Sequence, residues 1–351
     1  SLHDALPIYM PSLHKLSHVK MVAFCDIVEE RAIKAAKEYG QDDAKVYTDY
    51  KELLKENEDV EVIHVCTPNR SHAEISIAAL EAGKHVMCEK PMAKTAADAK
   101  RMVEAYKASG KKLTIGYQGR YTAQSLYLKQ ICDAGDLGEI YYAKAHAVRR
   151  RAVPTWGVFL NEEEQGGGPL IDIGTHALDL TLWMMNNYEV ESVTGSVYRK
   201  LADTKNAANA WGPWDPKLFT VEDAAFGFIK MKNGATIQLD ATWAINMLDV
   251  KESCTTLCGT KAGADMDDGL RINGEKFGRM YVTKPDLKSG GVAFYDGTVT
   301  KDPSVYEARQ WIDSILNDTL PTVLPEQALV VSQILEAVYE SAKSGKPVYF
   351  K

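Results

Sequence analysis

Short apolar runs alternate with stretches of helical periodicity over the first third of the chain. The run from Val19 to Cys25 ends in Asp26, and Glu29 to Tyr39 has the spacing of an amphipathic helix that Gly40 ends. The alternation then repeats, with helices predicted at 49–56, 69–83 (capped by Asn69) and 95–109 and strands at 60–66, 85–88 and 112–116. Strands that are apolar throughout and joined by helices predict a doubly wound parallel sheet.

The pattern changes after Gln118, where strands begin to follow one another. A helix from Tyr121 to Ala134 precedes a strand from Ile140 to Val148, and the pairs Asn233-Gly234 and Asn273-Gly274 predict hairpin turns. Further helices are predicted at 169–185, 306–317 and 325–344. We therefore expect an α/β protein with a Rossmann-type nucleotide domain at 1–119 and an α+β domain with a large, mostly antiparallel sheet at 120–351.

Composition and charge exclude several classes of protein. Lys and Arg number 41 against 48 Asp and Glu, for a net charge of -7, so the chain has no surplus of positive charge for nucleic acid. No apolar run reaches the ~20 residues that span a bilayer. Three of the six cysteines lie in or beside apolar runs, as buried thiols do, which favours a reducing cytoplasm; Cys254 and Cys258 have no matching pair, so no metal site is expected.

Asp26 is the first candidate for chemistry because it follows the second strand of the expected fold. An acid at that position can accept the ribose hydroxyls of an adenosine, and its charge repels a 2'-phosphate, which favours NAD over NADP. Glu29 and Glu30 add to this repulsion. Asp26 could equally cap the helix that follows it, and the sequence leaves both roles open.

Two later turns lie at the carboxyl ends of strands, where ligands bind in open parallel sheets. The first contains Thr67, Pro68 and Asn69, with His72 three residues further on; the second contains Glu89, Lys90 and Pro91. A proline disfavours helix at the residue before it, so Lys90 is expected to project into the crevice, where a cation could stabilise an alkoxide. The alternatives are an ordinary proline turn and a surface lysine.

A glycine-rich segment opens the helix with the strongest catalytic pattern. After Gly166, Gly167 and Gly168, Asp172 and His176 lie four residues apart on one face of a helix that is otherwise apolar. We expect both side chains to be buried, and a carboxylate beside an imidazole is suited to general base catalysis. We expect the glycines to let a ligand approach; a purely structural Asp-His hydrogen bond is the alternative.

Three tryptophans lie in Pro- and Gly-containing loops of the second domain: Trp156, Trp211 and Trp214. Their flat rings could stack on sugars, and Trp156 is the one we assign to substrate binding; core packing is the alternative.

Taken together, these motifs resemble the Gfo/Idh/MocA oxidoreductases, the glucose-fructose oxidoreductase and inositol dehydrogenase group. The likeness covers nearly the whole chain. It rests on Thr67-Pro68-Asn69 with His72, on Glu89-Lys90-Pro91, on the GGGPLIDIGTHALDL segment, and on weaker matches such as Leu137 to Ile140 and Val221 to Asp223.

The resemblance implies a hydride transfer between NAD and a secondary alcohol of a sugar, polyol or cyclitol. Lys90, Asp172 and His176 would form the catalytic set, with His176 as the proton acceptor, and these residues would also contact the substrate. Gln118 would contact cofactor or substrate, together with the cofactor residues named above. The sheet of the second domain would form the interface of a homodimer or homotetramer.

The start of the chain departs from the family pattern. A Gly-rich turn is expected about 20 residues before the ribose-binding acid, within Ser1 to Ile8, and the sequence has no glycine before Gly40. We therefore expect the first strand and Gly-rich turn to be missing, residues 1–8 to be foreign sequence, and the chain as written to bind NAD poorly. Tight binding in a calorimetric titration would contradict this.

Two other functions remain open. One is a glycosidase of the same fold, in which NAD oxidises the sugar transiently and elimination cleaves the glycoside. The other is a sensor that binds dinucleotide and a partner protein without catalysis. Accumulation of NADH with a free sugar would distinguish the dehydrogenase from both.

Overall fold

The structure is a computed structural model that describes residues 6–287 and 302–351. The chain divides into two compact units. The first takes in the residues up to Gly116 together with a later segment that ends at Leu329, and the second takes in Tyr117 onward together with Val330–Lys351.

The described helices and strands are as follows. The helices are α1 (Leu6–His14), α2 (Glu29–Tyr39), α3 (Tyr50–Glu56), α4 (Asn69–Glu81), α5 (Ala96–Ser109), α6 (Ala123–Asp133), α7 (Glu162–Gln165), α8 (Thr175–Met185), α9 (Pro303–Leu316) and α10 (Pro325–Ser344). The strands are β1 (Ala23–Cys25), β2 (Lys45–Tyr47), β3 (Val62–Val65), β4 (His85–Cys88), β5 (Leu113–Ile115), β6 (Ile140–Val148), β7 (Val190–Tyr198), β8 (Ala224–Met231), β9 (Thr236–Thr242), β10 (Cys254–Gly259), β11 (Ala262–Asp265), β12 (Arg271–Lys276), β13 (Arg279–Thr283) and β14 (Val348–Tyr349).

The first unit has the predicted parallel strands with intervening helices. Its strands form two described sheets, one of β1 and β2 and one in the order β3-β4-β5, and all pairs are parallel. Thr95, the first residue of the predicted helix 95–109, caps α5 through its side chain. Asn69 is not the cap of α4, because it is the first helical residue and Pro68 precedes it without a side-chain hydrogen bond.

The expectation about the start of the chain falls partly outside the described residues, which begin at residue 6. From there the chain forms α1, and the described buried side chains of this helix pack in the first unit. Tyr9 and Leu13 contact a cluster that includes Met87 and Trp311.

Helix α9 belongs to the first unit although it follows the second in sequence. Ala308, Trp311 and Ile312 of α9 join the cluster around Tyr9. The predicted single boundary near residue 119 therefore does not account for α9, which returns to the first unit. This return buries one apolar face of the amphipathic helix. The first break, between Gly116 and Tyr117, does lie close to that residue.

The second unit is built on a nine-stranded sheet in the order β13-β12-β11-β10-β6-β9-β8-β7-β14. The pairs are antiparallel except for β6 with β9, which agrees with the prediction of a mostly antiparallel sheet. Asn233-Gly234 forms the predicted turn between β8 and β9, whereas Asn273-Gly274 lies inside β12. The β12-β13 turn falls instead at Phe277-Gly278, where both residues have positive φ.

One face of the sheet is covered by helices. Helix α8 packs on β6 and β10. Val338 of α10 lies so close to Gly195 and Gly227 that a Cβ at either glycine would press against it. The absence of side chains at these two positions thus allows α10 to approach the sheet.

No helix in the described ranges is both long and apolar enough to cross a lipid bilayer. The six cysteines are all free thiols. No group of three or more His, Cys, Asp or Glu side chains that could hold a metal ion occurs among the residues described.

His64 on β3 is a buried imidazole whose two ring nitrogens have no hydrogen-bond partner in the described structure. Its ring packs against Tyr9 at 5.9 Å. Although the residue keeps some surface elsewhere, burial of the ring lowers its pKa from 6.5 to about 4, because the charged form cannot be solvated there.

We therefore predict that acid destabilises the protein through His64. Between pH 6.5 and 4 the unfolded chain binds a proton that the folded chain does not, so this contribution is present above that window and is lost as the pH falls through it, by about 3 kcal/mol in total. Denaturant unfolding of His64→Phe across this range should show a weaker pH dependence. An identical dependence in His64→Phe and wild type would contradict the prediction; the exposed His18→Gln is the matched control.

Candidate functional site

The helix that carries Asp172 and His176 begins at a turn anchored by Glu222. The buried Glu222 carboxylate accepts hydrogen bonds from the backbone N–H groups of Gly168 (2.8 Å) and Leu170 (3.1 Å) and from the hydroxyl of Tyr339 (2.9 Å). Burial raises the pKa of Glu222, and these hydrogen bonds oppose that rise. The N–H groups in the first turn of a helix have no carbonyl acceptor within the helix, and here the Glu222 carboxylate accepts their hydrogen bonds.

The glycines of this turn make room for protein atoms, which differs from our expectation that they admit a ligand. A side chain at Gly167 would collide with the ring of Tyr339, and one at Gly168 would collide with the backbone and carboxylate of Glu222. Gly174 faces Ala241 at a distance that leaves little space for a Cβ. The glycine run is thus required for close packing within the second unit.

Asp172 and His176 are partly exposed on a largely buried stretch of this helix. Leu170–Gly174 is a π-helical turn that continues directly into α8, and π-helical turns recur at functional sites. Between Gly167 and Leu182 every residue is buried except Asp172 and His176, which are half-buried. Our expectation of full burial was therefore wrong, and the exposure leaves both groups accessible to a ligand.

Trp243 orients the Asp172 carboxylate. The fully buried indole donates from Nε1 to Asp172 Oδ2 at 3.0 Å. The rings of Phe159 and Phe219 pack against the indole with centroid separations of 6.4 and 6.3 Å. Because the indole is enclosed, it fixes the direction in which the carboxylate points.

Tyr117 lies beside His176. Its ring meets the imidazole edge to face at 6.2 Å, and its hydroxyl is 3.0 Å from Thr175 Oγ1. Gln118, the predicted cofactor or substrate contact, is the next residue and opens the 3-10 turn Gln118–Tyr121. The structure thus places Gln118 one residue from a side chain that contacts His176.

A buried ion pair holds that 3-10 turn against α8. Arg120 donates from Nε and Nη2 to the two carboxylate oxygens of Asp179, at 2.8 and 2.6 Å, and both side chains are inaccessible to solvent. Burial alone would lower the pKa of Arg120, but the charge and hydrogen bonds of Asp179 raise it by more. Arg120 also lies over the Trp183 ring at 5.3 Å.

In the first unit, His72 connects the two turns predicted to bind cofactor. Its Nδ1 is 2.8 Å from the carbonyl oxygen of Pro91 and its Nε2 is 2.8 Å from that of Thr67. Burial lowers the pKa of His72, whereas the two carbonyls raise it. His72 is fully buried, so its place in the structure is a clamp between the turns.

The residues around this clamp follow β3 and β4 at their carboxyl ends. The Thr67 hydroxyl is buried and has no hydrogen-bond partner in the described ranges. Glu89 accepts a hydrogen bond from the backbone N–H of Lys90 at 2.9 Å, and the Lys90-Pro91 peptide is cis. An unpartnered hydroxyl at this edge fits a nucleotide, because a phosphate or ribose oxygen could accept its hydrogen bond.

Asp26 follows β1, as predicted. Its Oδ1 accepts a hydrogen bond from Val28 N–H at 2.8 Å and lies 3.9 Å from Arg31 Nη1. Asp26 therefore stabilises the turn into α2, whose cap position is Val28. The hydrogen bond from Val28 resembles the helix-capping role considered for Asp26. It is accepted by one oxygen of the carboxylate, Oδ1.

The three loop tryptophans have different environments. Trp214 is buried and donates to the carbonyl of Ala202 at 2.8 Å, so it packs in the core. Trp156 is half-buried, and Trp211 is 45% exposed. Trp156 contacts Trp211 edge to face at 4.8 Å.

The sequence did not reveal Trp243, Arg120 or the role of Glu222. Each of these residues lies on a different helix, strand or turn from the group it binds. The periodicity of one sequence does not indicate which elements contact each other. Asp179 was visible as an acid on an apolar helix, which could have indicated a buried cationic partner.

The chain is similar to known proteins over most of its length. The family model described as "Oxidoreductase family, NAD-binding Rossmann fold" (GFO_IDH_MocA) matches residues 7–117, and the C-terminal domain model of that family matches residues 125–265. D-glucoside 3-dehydrogenase of Escherichia coli K12 is 33% identical over 330 residues, which are 94% of this chain and 90% of that protein. Inositol 2-dehydrogenase of Salmonella paratyphi B is 36% identical over 243 residues, 67% of each protein.

A solved structure shares the fold. Levoglucosan dehydrogenase in complex with NADH and levoglucosan has a TM-score of 0.79 and 21% identity, covering 97% of this chain and 94% of that one. At this identity the likeness concerns the fold, a Rossmann domain followed by a domain with a large mixed sheet.

We predict that Arg120→Met destabilises the second unit severely, by about 3 to 5 kcal/mol, because it leaves the Asp179 carboxylate buried without its counter-ion. The double variant Arg120→Met/Asp179→Leu should recover a large part of that loss, since no isolated charge remains. Chemical denaturation of both variants measures this. Equal losses in the single and double variants would show that the pair contributes through its shape rather than its charges.

Proposed function

Because the chain belongs to the Gfo/Idh/MocA oxidoreductase family, we propose that it transfers a hydride between NAD and a secondary alcohol of a sugar, polyol or cyclitol. The chain has the family's NAD-binding Rossmann domain and C-terminal domain. The observation that carries the proposal is the pair Asp172 and His176, the two partly exposed residues between Gly167 and Leu182, with Asp172 oriented by Trp243. The relatives named as dehydrogenases of D-glucosides and inositol support this substrate class.

Three residues act together to remove the proton of the substrate hydroxyl. His176 accepts the proton of the substrate hydroxyl as the carbinol C–H bond breaks and the carbonyl forms. Asp172 orients the hydroxyl and balances the charge that His176 acquires, and Lys90 stabilises the developing alkoxide. Bound nicotinamide supplies the acceptor for the hydride. Trp156 would contact the sugar from its loop.

In the first unit, Thr67, Pro68, Asn69 and Glu89 would line the cofactor, with His72 holding their turns together. Asp26, with the nearby Glu29 and Glu30, would favour NAD over NADP, because these carboxylates would repel a 2'-phosphate although Arg31 lies 3.9 Å from Asp26. Equal kcat/KM values with NAD and NADP would contradict that preference.

The experiment is a panel of sugars, glycosides and cyclitols incubated with NAD or NADP, with NADH or NADPH absorbance and free sugar both measured. We expect reduced cofactor to accumulate with at least one substrate, and His176→Ala and Lys90→Ala to lower kcat by about 100-fold or more. The exposed Lys100→Ala is the matched control and should retain activity.

The other outcomes identify the alternatives. Glycoside cleavage without net NADH would indicate the redox glycosidase. Binding of NAD without turnover of any substrate, unchanged in Lys90→Ala, would indicate a sensor.

We also infer that subunits pair through the face of the large sheet opposite α10. Phe228 and Tyr198 on this face are 53% and 42% exposed, and Phe226 contacts Tyr198 at 6.1 Å. An aromatic surface of this kind is typical of subunit interfaces. The cysteines that lie in or beside apolar runs further support a cytoplasmic location, which fractionation of the native cells would test.

Light scattering should accordingly give the mass of a homodimer or homotetramer, and Phe228→Glu should shift it toward the monomer because it places a charge in the desolvated interface. The exposed Tyr127→Glu on α6, outside the sheet, serves as the control. A monomeric wild type at micromolar concentration would refute the interface.

A further inference from the structure

Trp211 is an exposed indole on a loop that is held in place. The ring is 45% exposed, although tryptophan is costly to leave in water. Asn209 fixes the loop, since its side-chain amide pairs with both the N–H and the carbonyl of Val153, at 2.8 and 2.9 Å. Thr155 donates to the carbonyl of Trp211 itself at 3.0 Å. The exposed ring is therefore presented in a defined position.

Two side chains support this ring. Trp156 meets it edge to face with centroids 4.8 Å apart, and the guanidinium of Arg149 lies 5.5 Å from its centroid. Arg149 is in turn paired with both carboxylate oxygens of Glu252. We call Trp211, Trp156 and Arg149 the indole platform.

The indole platform is connected to the candidate catalytic carboxylate by two routes within the second unit. Rings follow one another from Trp156 to Phe159 at 6.1 Å and from Phe159 to Trp243 at 6.4 Å, and Trp243 binds Asp172. Burial lowers the pKa of Arg149, but Glu252 and the charge of Asp172 raise it by more, so Arg149 lies within electrostatic range of Asp172. The platform is thus linked through packed rings to the carboxylate of the proposed reaction.

The charges of the platform indicate what it can bind. Because Glu252 neutralises Arg149, the platform has no free cation for a carboxylate or phosphate ligand. The apolar C–H face of a pyranose stacks on an indole without needing charge. A neutral sugar ring is the ligand that fits an exposed indole beside a hydroxyl-oxidising site.

Resting on the function proposed above, we propose that Trp211 binds a second, uncharged sugar ring that is joined by a glycosidic bond to the ring that is oxidised. The substrate is then a glycoside with a ring-sized aglycone, such as a disaccharide, rather than a free monosaccharide. Trp156 and Arg149 hold the indole at the angle that the second ring requires.

The test compares cellobiose, maltose and trehalose, which have two rings, with methyl glucoside, which has one. In wild type we expect a two-ring substrate to have the higher kcat/KM. Trp211→Ala should lower kcat/KM for it about tenfold through KM, with kcat unchanged, because the stacking contact is the same in the ground and transition states. Methyl glucoside should be affected less than twofold. Trp211→Phe should retain most of the preference, and the exposed Tyr349→Ala should change nothing.

The outcomes separate this inference from the proposed function. Equal losses for one-ring and two-ring substrates in Trp211→Ala, or no loss for either, would overturn the inference while leaving the dehydrogenase intact. If wild type oxidises none of the sugars, the test is a calorimetric titration with the disaccharides in the presence of NAD, which shows whether the platform binds them. Binding that Trp211→Ala weakens would uphold the platform although the proposed function fails, and no binding would overturn both. Circular dichroism confirms that each variant is folded.

Discussion

The ion pair between Arg120 and Asp179 is the interaction on which the second unit most depends. Both groups are inaccessible to water, so each needs the other to remain charged in the interior. The pair fixes the 3-10 turn Gln118–Tyr121 against the middle of α8, one turn beyond His176, while Glu222 fixes the turn that precedes Asp172. A helix restrained on both sides of Asp172 and His176 holds them in a fixed arrangement, and such preorganisation is what electrostatic catalysis requires.

The same helix shows few polar groups near its start. Buried residues surround Asp172 and His176 along the helix, so the apolar surroundings strengthen the electrostatic interactions of the two polar side chains. Trp243 links Asp172 to the aromatic residues that lead to Trp211. In the proposed reaction, packed rings would therefore connect the residue that binds the second sugar with the carboxylate beside the proton acceptor.

Local patterns in the sequence predicted most of the elements but not the contacts between them. Periodicity located α10 and β6, and the motif around His176 identified the helix at the centre of the site. The same patterns gave no sign that α9 returns to the first unit, that Asn273-Gly274 lies within a strand, or that the glycine run packs against Tyr339. The return of α9 joins Tyr9 to Trp311 and the glycine run meets Tyr339 through Gly167, so both features are decided by residues more than 100 positions apart. Asn273-Gly274 is held within β12 by pairing with β11 and β13, and this tertiary pairing overrides the local preference for a turn. The exposure of Asp172 and His176 likewise depends on what packs around the helix and not on its own composition.

The most direct test of the role proposed for Asp172 is the kcat of Trp243→Phe. This change keeps an aromatic ring in the core and removes the N–H that orients Asp172. We predict that kcat falls about tenfold or more while KM and the affinity for NAD stay close to those of wild type. An unchanged kcat in a folded Trp243→Phe protein would contradict the claim that an oriented Asp172 takes part in the reaction.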